Sequence, residues 1–495
     1  MKIAGLDIGT TGCKLTVFDA AGKQLDRAYA DYPAQRAGGQ QEIDAGAILI
    51  SVLQVIGRMA AQYPDIAGIG VTSFGESCVL ADGTGQPLCR AMLYTDSRGA
   101  AECQVLTRKL GARRIAAICG TAPHEMYSLP KLMWLKAHRP ELWERARHIF
   151  LMEDFVVFAL TGVAQIDYSL AARTLGFDIR GLAWSPELWE AAGIDPGLLS
   201  KPVPSGTPAG PITAAVASQT GLAPGTQIVS ISHDQVAAAV GAGVFSPEAA
   251  VDGAGTVECI TPVYEGIPDM EVMMAGSYAV VPYVVPGKYV CYAFSYTGGS
   301  LIQWCVDTLA KKEKALAAAE GLTVNAYLER QAASPTGLLV LPHFAGAATP
   351  YMDTGAKGAI LGLTLDTTAA EIYRACMEGV VYEMLLNLER LKASGIRFTR
   401  LQATGGGAHS PVWMQMKADA LGLSIVSLAT VDAGTVGSAM LTGIALGCFA
   451  DLADAAHHMV VPVHTYMPDA ARHEAYQKVY ERYRRVYEAV RPLIE

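Results

Sequence analysis

Residues 5 to 14 read Gly-Leu-Asp-Ile-Gly-Thr-Thr-Gly-Cys-Lys. A lone carboxylate, Asp7, stands ahead of a turn of glycines and hydroxyls, Gly9-Thr10-Thr11-Gly12, with Lys14 just beyond. Glycines let backbone N–H groups approach an anion closely, and threonine hydroxyls and a lysine add donors. Asp7 is suited to hold a divalent cation through its water shell. The chemistry of such a turn is the clamping of phosphate. A plain β-hairpin has the same pattern. The turn is not the Gly-x-x-x-x-Gly-Lys-Ser/Thr loop, which opens a helix.

Two further groups carry chemistry. Ser232-His233-Asp234-Gln235 precedes a run of small residues, Val236 to Gly243. A strand there delivers Asp234 to a helix start, where the helix dipole favours the ionised carboxylate. Such a group can accept a hydroxyl proton, or it can cap the helix. The third group is Thr404-Gly405-Gly406-Gly407-Ala408-His409-Ser410-Pro411. Three glycines between a strand and a helix leave no side chain in the way of a flat ligand or a phosphate. An ordinary loop reads the same way.

The elements that must hold these groups follow from the hydrophobic pattern. A β-meander is expected over 2–8, 13–19 and 24–32, then a helix near 44–62 and a buried strand from Ile66 to Thr72. Helices are expected near 96–110, 129–138 and 150–160, and a strand over Gln227 to Ile231. The Pro/Gly/Thr-rich segment 200–226 reads as a surface connection. After residue 245 the order restarts. A strand from Ala249 to Asp252, the turn Gly253-Ala254-Gly255-Thr256 and the run Val257 to Pro262 echo the opening motif. Thr368 and Glu371 form a capping box for a helix to about Ala393. Val412 to Leu421 and Ala471 to Leu493 complete the helices, the last one charged and amphipathic. Alternating strands and helices indicate α/β layers.

Composition bounds the rest. At 495 residues the chain is too long for one ordinary core, so two domains or more are expected, and the restart after residue 245 divides it into 1–245 and 246–495. A net charge of −9 without a long basic run argues against nucleic acid or an anionic membrane as a partner. Ten cysteines without a Cys-x-x-Cys pair read as reduced thiols of a cytoplasmic protein. Asp7 interrupts the only apolar start, so no secretory leader is expected. Residues 433–450 carry no charge, but their glycines and hydroxyls point to a buried, closely packed helix rather than a membrane span.

Together these pieces resemble the FGGY family of carbohydrate kinases, within the actin/hexokinase/Hsp70-like superfamily. The likeness runs along nearly the whole chain. It includes Gly5 to Thr11, Tyr94-Thr-Asp-Ser-Arg98, Pro130 to Leu135, Asp167-Tyr-Ser169 and His233-Asp-Gln235. In the second half it includes Gly298-Gly299, Leu341-Pro342, Arg374 to Gly379 and Gly405 to Trp413.

The resemblance implies an α/β fold of two ribonuclease-H-like, actin-like ATPase domains around a central cleft, each with a mixed five-stranded sheet. It implies ATP-dependent phosphorylation of a sugar or polyol with Mg²⁺. Asp234 matches the family's general base and Asp7 its metal-side carboxylate, with Asp234 also near the metal. Thr10, Thr11 and Lys14 match the first phosphate loop, and Gly255 and Thr256 the second. Gly298 and Gly299 match the lining of the nucleotide pocket. Gly406, Gly407 and Ala408 match the turn beside it, with Pro411 near the adenosine. On the sugar side, Val71 to Ser77 carries Gly75-Glu76 where xylulokinases have Met-His and glycerol kinases Arg-Glu. Glu76 is therefore a candidate hydroxyl ligand, with His233, Gln235, Asp96 and Tyr127 as further pocket candidates. The family often forms homodimers. Two other readings remain open: an actin- or Hsp70-like nucleotide switch, and a catalytically silent sugar sensor.

Overall fold

The protein is described by a computed structural model covering residues 1–37, 39–430 and 432–493. Its opening strand, Lys2–Ile8, lies at the centre of a six-stranded sheet. Side chains alternate across a strand. Ala4, Leu6 and Ile8 pack with Ile48, Val52, Val55 and Met59 of the helix Ala45–Gln62. Ile3, Gly5 and Asp7 point the other way. The helix Ala45–Gln62 is long and apolar enough to cross a membrane by composition, and half of its face lies against this sheet.

Three strands of this sheet run parallel: Lys2–Ile8, Ile66–Ser73 and Gln227–His233. Ile66–Ser73 lies between the other two. Open sheets of this kind bind ligands beyond the carboxyl ends of parallel strands. Asp7, the segment after Ser73 and Asp234 are therefore gathered at one end by the topology.

The second sheet has eight strands and repeats the plan. Ala249–Ala254, Arg400–Thr404 and Ser424–Leu428 run parallel, and their carboxyl ends carry the turns at 253–256 and 405–407. The hairpin Ala249–Ala254 to Glu258–Glu265 matches the opening hairpin Lys2–Ile8 to Gly12–Asp19.

Four expectations change. The sheets have six and eight strands, not five. Part of the segment 200–226 is structured: Thr207–Pro211 is the edge strand beside Gln227–His233. Prolines are tolerated at a sheet edge, where an N–H partner is not needed, and this hides the strand from pattern reading. The last helix is broken, with Ala470–Tyr483 and Val486–Val490 separated at Arg484-Arg485. The helix expected from residue 96 starts at Ala100 instead.

The uncharged stretch forms a helix, Ala433–Ala445, buried along most of its length. It falls in the second half of the sequence but packs on the first sheet and along the helix Asp234–Gly241. Glycines make this possible. A Cβ on Gly5 would overlap the Thr435 carbonyl, one on Gly241 the Ala433 carbonyl, and one on Gly437 the Ala237 carbonyl. Gly5 and Gly70 are register partners on adjacent strands, so they form a lane for the helix.

Candidate functional site

Asp7 and Lys14 face each other across the first hairpin. The turn closes through the Gly9 N–H donating to the Gly12 carbonyl at 3.0 Å. Thr10 and Thr11 lie at its partly open tip. Lys14 is drawn to the other half of the chain, with Nζ 2.6 Å from Asp432 Oδ1. Asp7 sits against the start of the helix Ala433–Ala445, where a Cβ on Gly434 would lie 3.1 Å from Asp7 Oδ2. Burial, opposed by Lys14 and reinforced by Asp432, pushes its carboxyl up to about 6.

Asp234 is the first residue of the helix Asp234–Gly241, and no side chain caps that helix. The carboxylate is thus not spent as a cap. Its side chain keeps 27% of its surface exposed, so it opens on the cleft. Burial first, then the charges of Asp7 and Glu76, push its carboxyl up to about 8, while Gln235 hydrogen bonds hold it down.

His233 lies beside Asp234, with Nε2 3.3 Å from Asp234 Oδ1. Its Nδ1 is 2.9 Å from the Tyr292 hydroxyl, and its backbone N–H donates to Ser169 Oγ at 2.9 Å. Burial, then the Arg173 charge, hold its pKa well below the ordinary value, so the ring is neutral. The motif Asp167-Tyr-Ser169 is a scaffold here. Asp167 accepts from the Ser169 and Leu170 N–H groups and so fixes the hydroxyl that His233 meets.

Glu76 follows the middle strand in a left-handed conformation, φ 64°. Such a φ is unusual for a side-chain-bearing residue and marks a constrained site. Its Oε1 accepts from Arg173 Nε at 2.6 Å and also from Arg173 Nη2. Tyr127 is buried, its hydroxyl 2.7 Å from Thr121 Oγ1, and its ring lies against Arg173. Asp96 is placed differently. Oδ1 accepts from the Arg98 N–H and Nε, and Oδ2 from Arg98 Nη2 and the Gln41 N–H. With both oxygens engaged and its side chain buried, Asp96 braces the loop that leads to Arg98.

In the second half a cavity of about 670 Å³ is lined by Gly255, Thr256, Gly299, Gly406 and Gly407. Gln303, Asn325, Tyr373 and Trp413 complete its wall. Gly405 has φ 86°, and a Cβ there would lie 2.7 Å from the Ala254 carbonyl oxygen, so only glycine fits the turn. Gly299 N–H donates to the Gly255 carbonyl at 2.9 Å, and Ser300 N–H to that of Thr256 at 3.1 Å. Gly298 lies behind this junction, against Val257. Ala408 is buried, and Pro411 opens the helix Pro411–Leu421 and lines a neighbouring groove. Neither is part of the cavity wall.

The two hairpins differ at their carboxylates. Asp252, the counterpart of Asp7, is fully buried and accepts from Lys417 Nζ, which also bonds Glu258 Oε1 at 2.7 Å. Lys417 in turn lies over the Trp413 ring, 4.8 Å from its centroid. The second carboxylate is neutralised from within, whereas the lysine opposite Asp7, Lys14, is bonded to Asp432. Sequence reasoning missed Lys417, Arg173 and Tyr292. Each sits on an unremarkable stretch and acquires its role only through packing. Among the described residues, no group of three or more His, Cys, Asp or Glu could hold a metal alone. Mg²⁺ commonly binds through one or two carboxylates together with water and substrate phosphates, and Asp7 with Asp234 fits that pattern.

The chain matches the N-terminal domain model of the FGGY family of carbohydrate kinases over residues 2–241 and the C-terminal domain model over 268–446. It is 27% identical to a xylulose kinase of Lactococcus lactis, over 97% of this chain and 95% of that protein. It is 30% identical to a glycerol kinase of Halorhodospira halophila, over 94% and 92%. The crystal structure of a ligand-bound xylulose kinase from Lactobacillus acidophilus superposes with a TM-score of 0.89 at 24% identity, covering 99% of this chain and 98% of that one. The fold is thus the two-domain, actin-like ATPase arrangement of these kinases. This chain belongs to the FGGY family of carbohydrate kinases and is an ATP-dependent sugar or polyol kinase.

Proposed function

We propose that this kinase phosphorylates a hydroxyl of a small ketose, such as a pentulose, or of a polyol, with Asp234 as general base. The observation that carries the reading is the placement of Asp234. It is an uncapping carboxylate at a helix start, open to the cleft, with a neutral His233 on one side and Glu76 within electrostatic reach. A base needs the incoming hydroxyl within hydrogen-bond reach and a poised proton affinity. Phosphoryl transfer otherwise depends on positioning and charge neutralisation. The glycine-walled cavity supports a nucleotide site, with Gly255, Thr256, Gly406 and Gly407 as backbone and hydroxyl donors. The tip of the first turn, Thr10 and Thr11, supplies further donors. Mg²⁺, when bound, supplies charge neutralisation for the transferring phosphoryl group, and Asp7 and Asp234 are the residues that would hold its water shell. We further propose a cytoplasmic location and a lobe boundary near residue 245.

Asp234→Asn tests the base. It keeps the shape and removes the proton acceptor. Turnover of an acceptor sugar falls by roughly 10²–10⁴, while ATP binding measured by calorimetry is retained. Near wild-type turnover by a folded variant would refute the assignment.

A further inference from the structure

Arg173 is a cation buried beside Glu76 at the acceptor side of the cleft, and it is only partly used. A guanidinium carries five N–H donors in a rigid fork. Nε and Nη2 both go to Glu76 Oε1. Nη1 is buried and has no partner. Buried polar groups are almost always paired, and a charged one left unpaired is costly. Such a donor is available for a ligand to complete.

The guanidinium cannot swing away to find another partner. The rings of Tyr127 and Tyr292 flank it, 5.1 and 5.3 Å from its carbon. Gly75 packs closely on its stem, since a Cβ there would lie 3.0 Å from Arg173 Cγ and 3.1 Å from His233 Cδ2. The guanidinium is therefore held in place, close enough to His233, the residue that precedes Asp234, for its charge to act on that ring. Tyr292 comes from the second half of the chain and also meets His233, so the slot is whole only when both lobes are together.

Charge decides the class of ligand. Glu76 and Arg173 cancel, so the pair offers no net positive charge to a carboxylate. A carboxylate-bearing sugar acid gains no unpaired cation from it, and a neutral polyhydroxylated molecule needs none.

We infer that Arg173 determines acceptor specificity, donating from Nη1 to an oxygen of a neutral ketose or polyol, with Glu76 beside it accepting from an adjacent hydroxyl. The inference rests on the reading of Asp234 as the reacting centre, and its test separates the two.

Full-length wild type, Arg173→Lys, Arg173→Gln and Asp234→Asn are compared with xylulose, glycerol and gluconate. Acceptor binding is measured by calorimetry, KM is measured for acceptor and for ATP, and melting curves establish folding. Wild type is expected to bind xylulose or glycerol and not gluconate. Arg173→Lys keeps the charge but loses the fixed fork. It is expected to weaken acceptor binding at least tenfold, on the order of one charged hydrogen bond, with the KM for ATP within about twofold. Arg173→Gln does so further. Asp234→Asn loses turnover but keeps acceptor binding. Unchanged acceptor affinity in folded Arg173→Lys overturns the role, whatever the fate of Arg173→Gln. Preference for gluconate, or no binding of either neutral probe, overturns the ligand class. Turnover by Asp234→Asn would instead overturn the base and leave the Arg173 result standing.

Discussion

Asp7 and Asp234 each end an apolar strand at a turn, and folding brings the two carboxylates within electrostatic reach of each other. Each was readable from the sequence by its place at a strand end, but their effect on each other was not, since 226 intervening residues (8 to 233) must fold before the two strand ends meet. Arg173 and Lys417 were illegible for a related reason: Ala-Ala-Arg-Thr and Met-Lys-Ala-Asp look like any helical stretch. The carboxylate pair has a measurable consequence for stability. The Asp234 carboxyl moves from an ordinary 3.8 up to about 8, chiefly through burial. The folded state therefore holds a proton that the unfolded chain releases near pH 4. Where the native state binds more protons, stability falls as pH rises. The loss begins near pH 4 and is complete near pH 8, with Asp7 contributing below its value of about 6. Asp234→Asn removes this term. Without ligands, its melting temperature at pH 8 should exceed that of wild type by about 2 °C, and the gap should close toward pH 4. Melting curves across that range check it, and a gap that is equal at both ends would show that Asp234 titrates normally. Kinetics give the complementary sign. A base must be ionised, so kcat/KM for the acceptor should rise with pH on an acidic limb lying above the ordinary aspartate range.

At the scale of elements, glycine does two separate jobs, and the structure tells them apart. The lane of Gly5, Gly70, Gly241 and Gly437 exists so that the helix Ala433–Ala445 can lie on the sheet at backbone contact. The sequence disclosed the helix and its small residues, because an uncharged stretch rich in Gly and Thr is better buried than spanning. It did not disclose which sheet the helix covers, since that depends on matching glycines from four distant segments. Gly406 belongs to the other class: nothing lies within 4 Å of a Cβ there, and it lines the cavity. Gly437→Ala drives a methyl into the Ala237 carbonyl, so the two helices must part. A loss of about 3 kcal/mol is expected, with any kinetic defect following from unfolding. Gly406→Ala should leave stability within about 0.5 kcal/mol and raise the KM for ATP. Denaturation and ATP kinetics on the two variants check the division. A stable Gly437→Ala, or a Gly406→Ala with unchanged KM for ATP, would erase it.

At the scale of the molecule, the two halves echo each other in sequence but are not two independent bodies. The first sheet, with its strands gathered at Asp7, Glu76 and Asp234, owes one of its covering helices to residues 433–445. Without that helix Ile3, Ile231 and Val240 lose a share of their cover, and the glycine lane becomes an open trough of backbone. Lys14 also loses Asp432, and His233 and Arg173 lose Tyr292. The restart of the pattern after residue 245 therefore marks where a motif repeats, not where a foldable unit ends. A segment that leaves a large apolar face uncovered does not gain enough burial to offset its chain entropy. Residues 1–245 produced alone should then be aggregated or lack a cooperative melt, although they contain the proposed base and the acceptor residues. The same fragment extended by a flexible linker into 433–445 should recover solubility and a cooperative transition, because the helix supplies the missing face. Circular dichroism melts and sedimentation of the two fragments decide it. A cooperative, monomeric 1–245 would mean that the first lobe is self-sufficient and that the helix serves only to join the lobes. Failure of the extended fragment would place the missing stabilisation elsewhere in the second half. If the extended fragment succeeds, residues 433–445 are a structural part of the first lobe although they lie in the second half of the sequence, and the close Gly241–Gly437 crossing is the contact that seats them there.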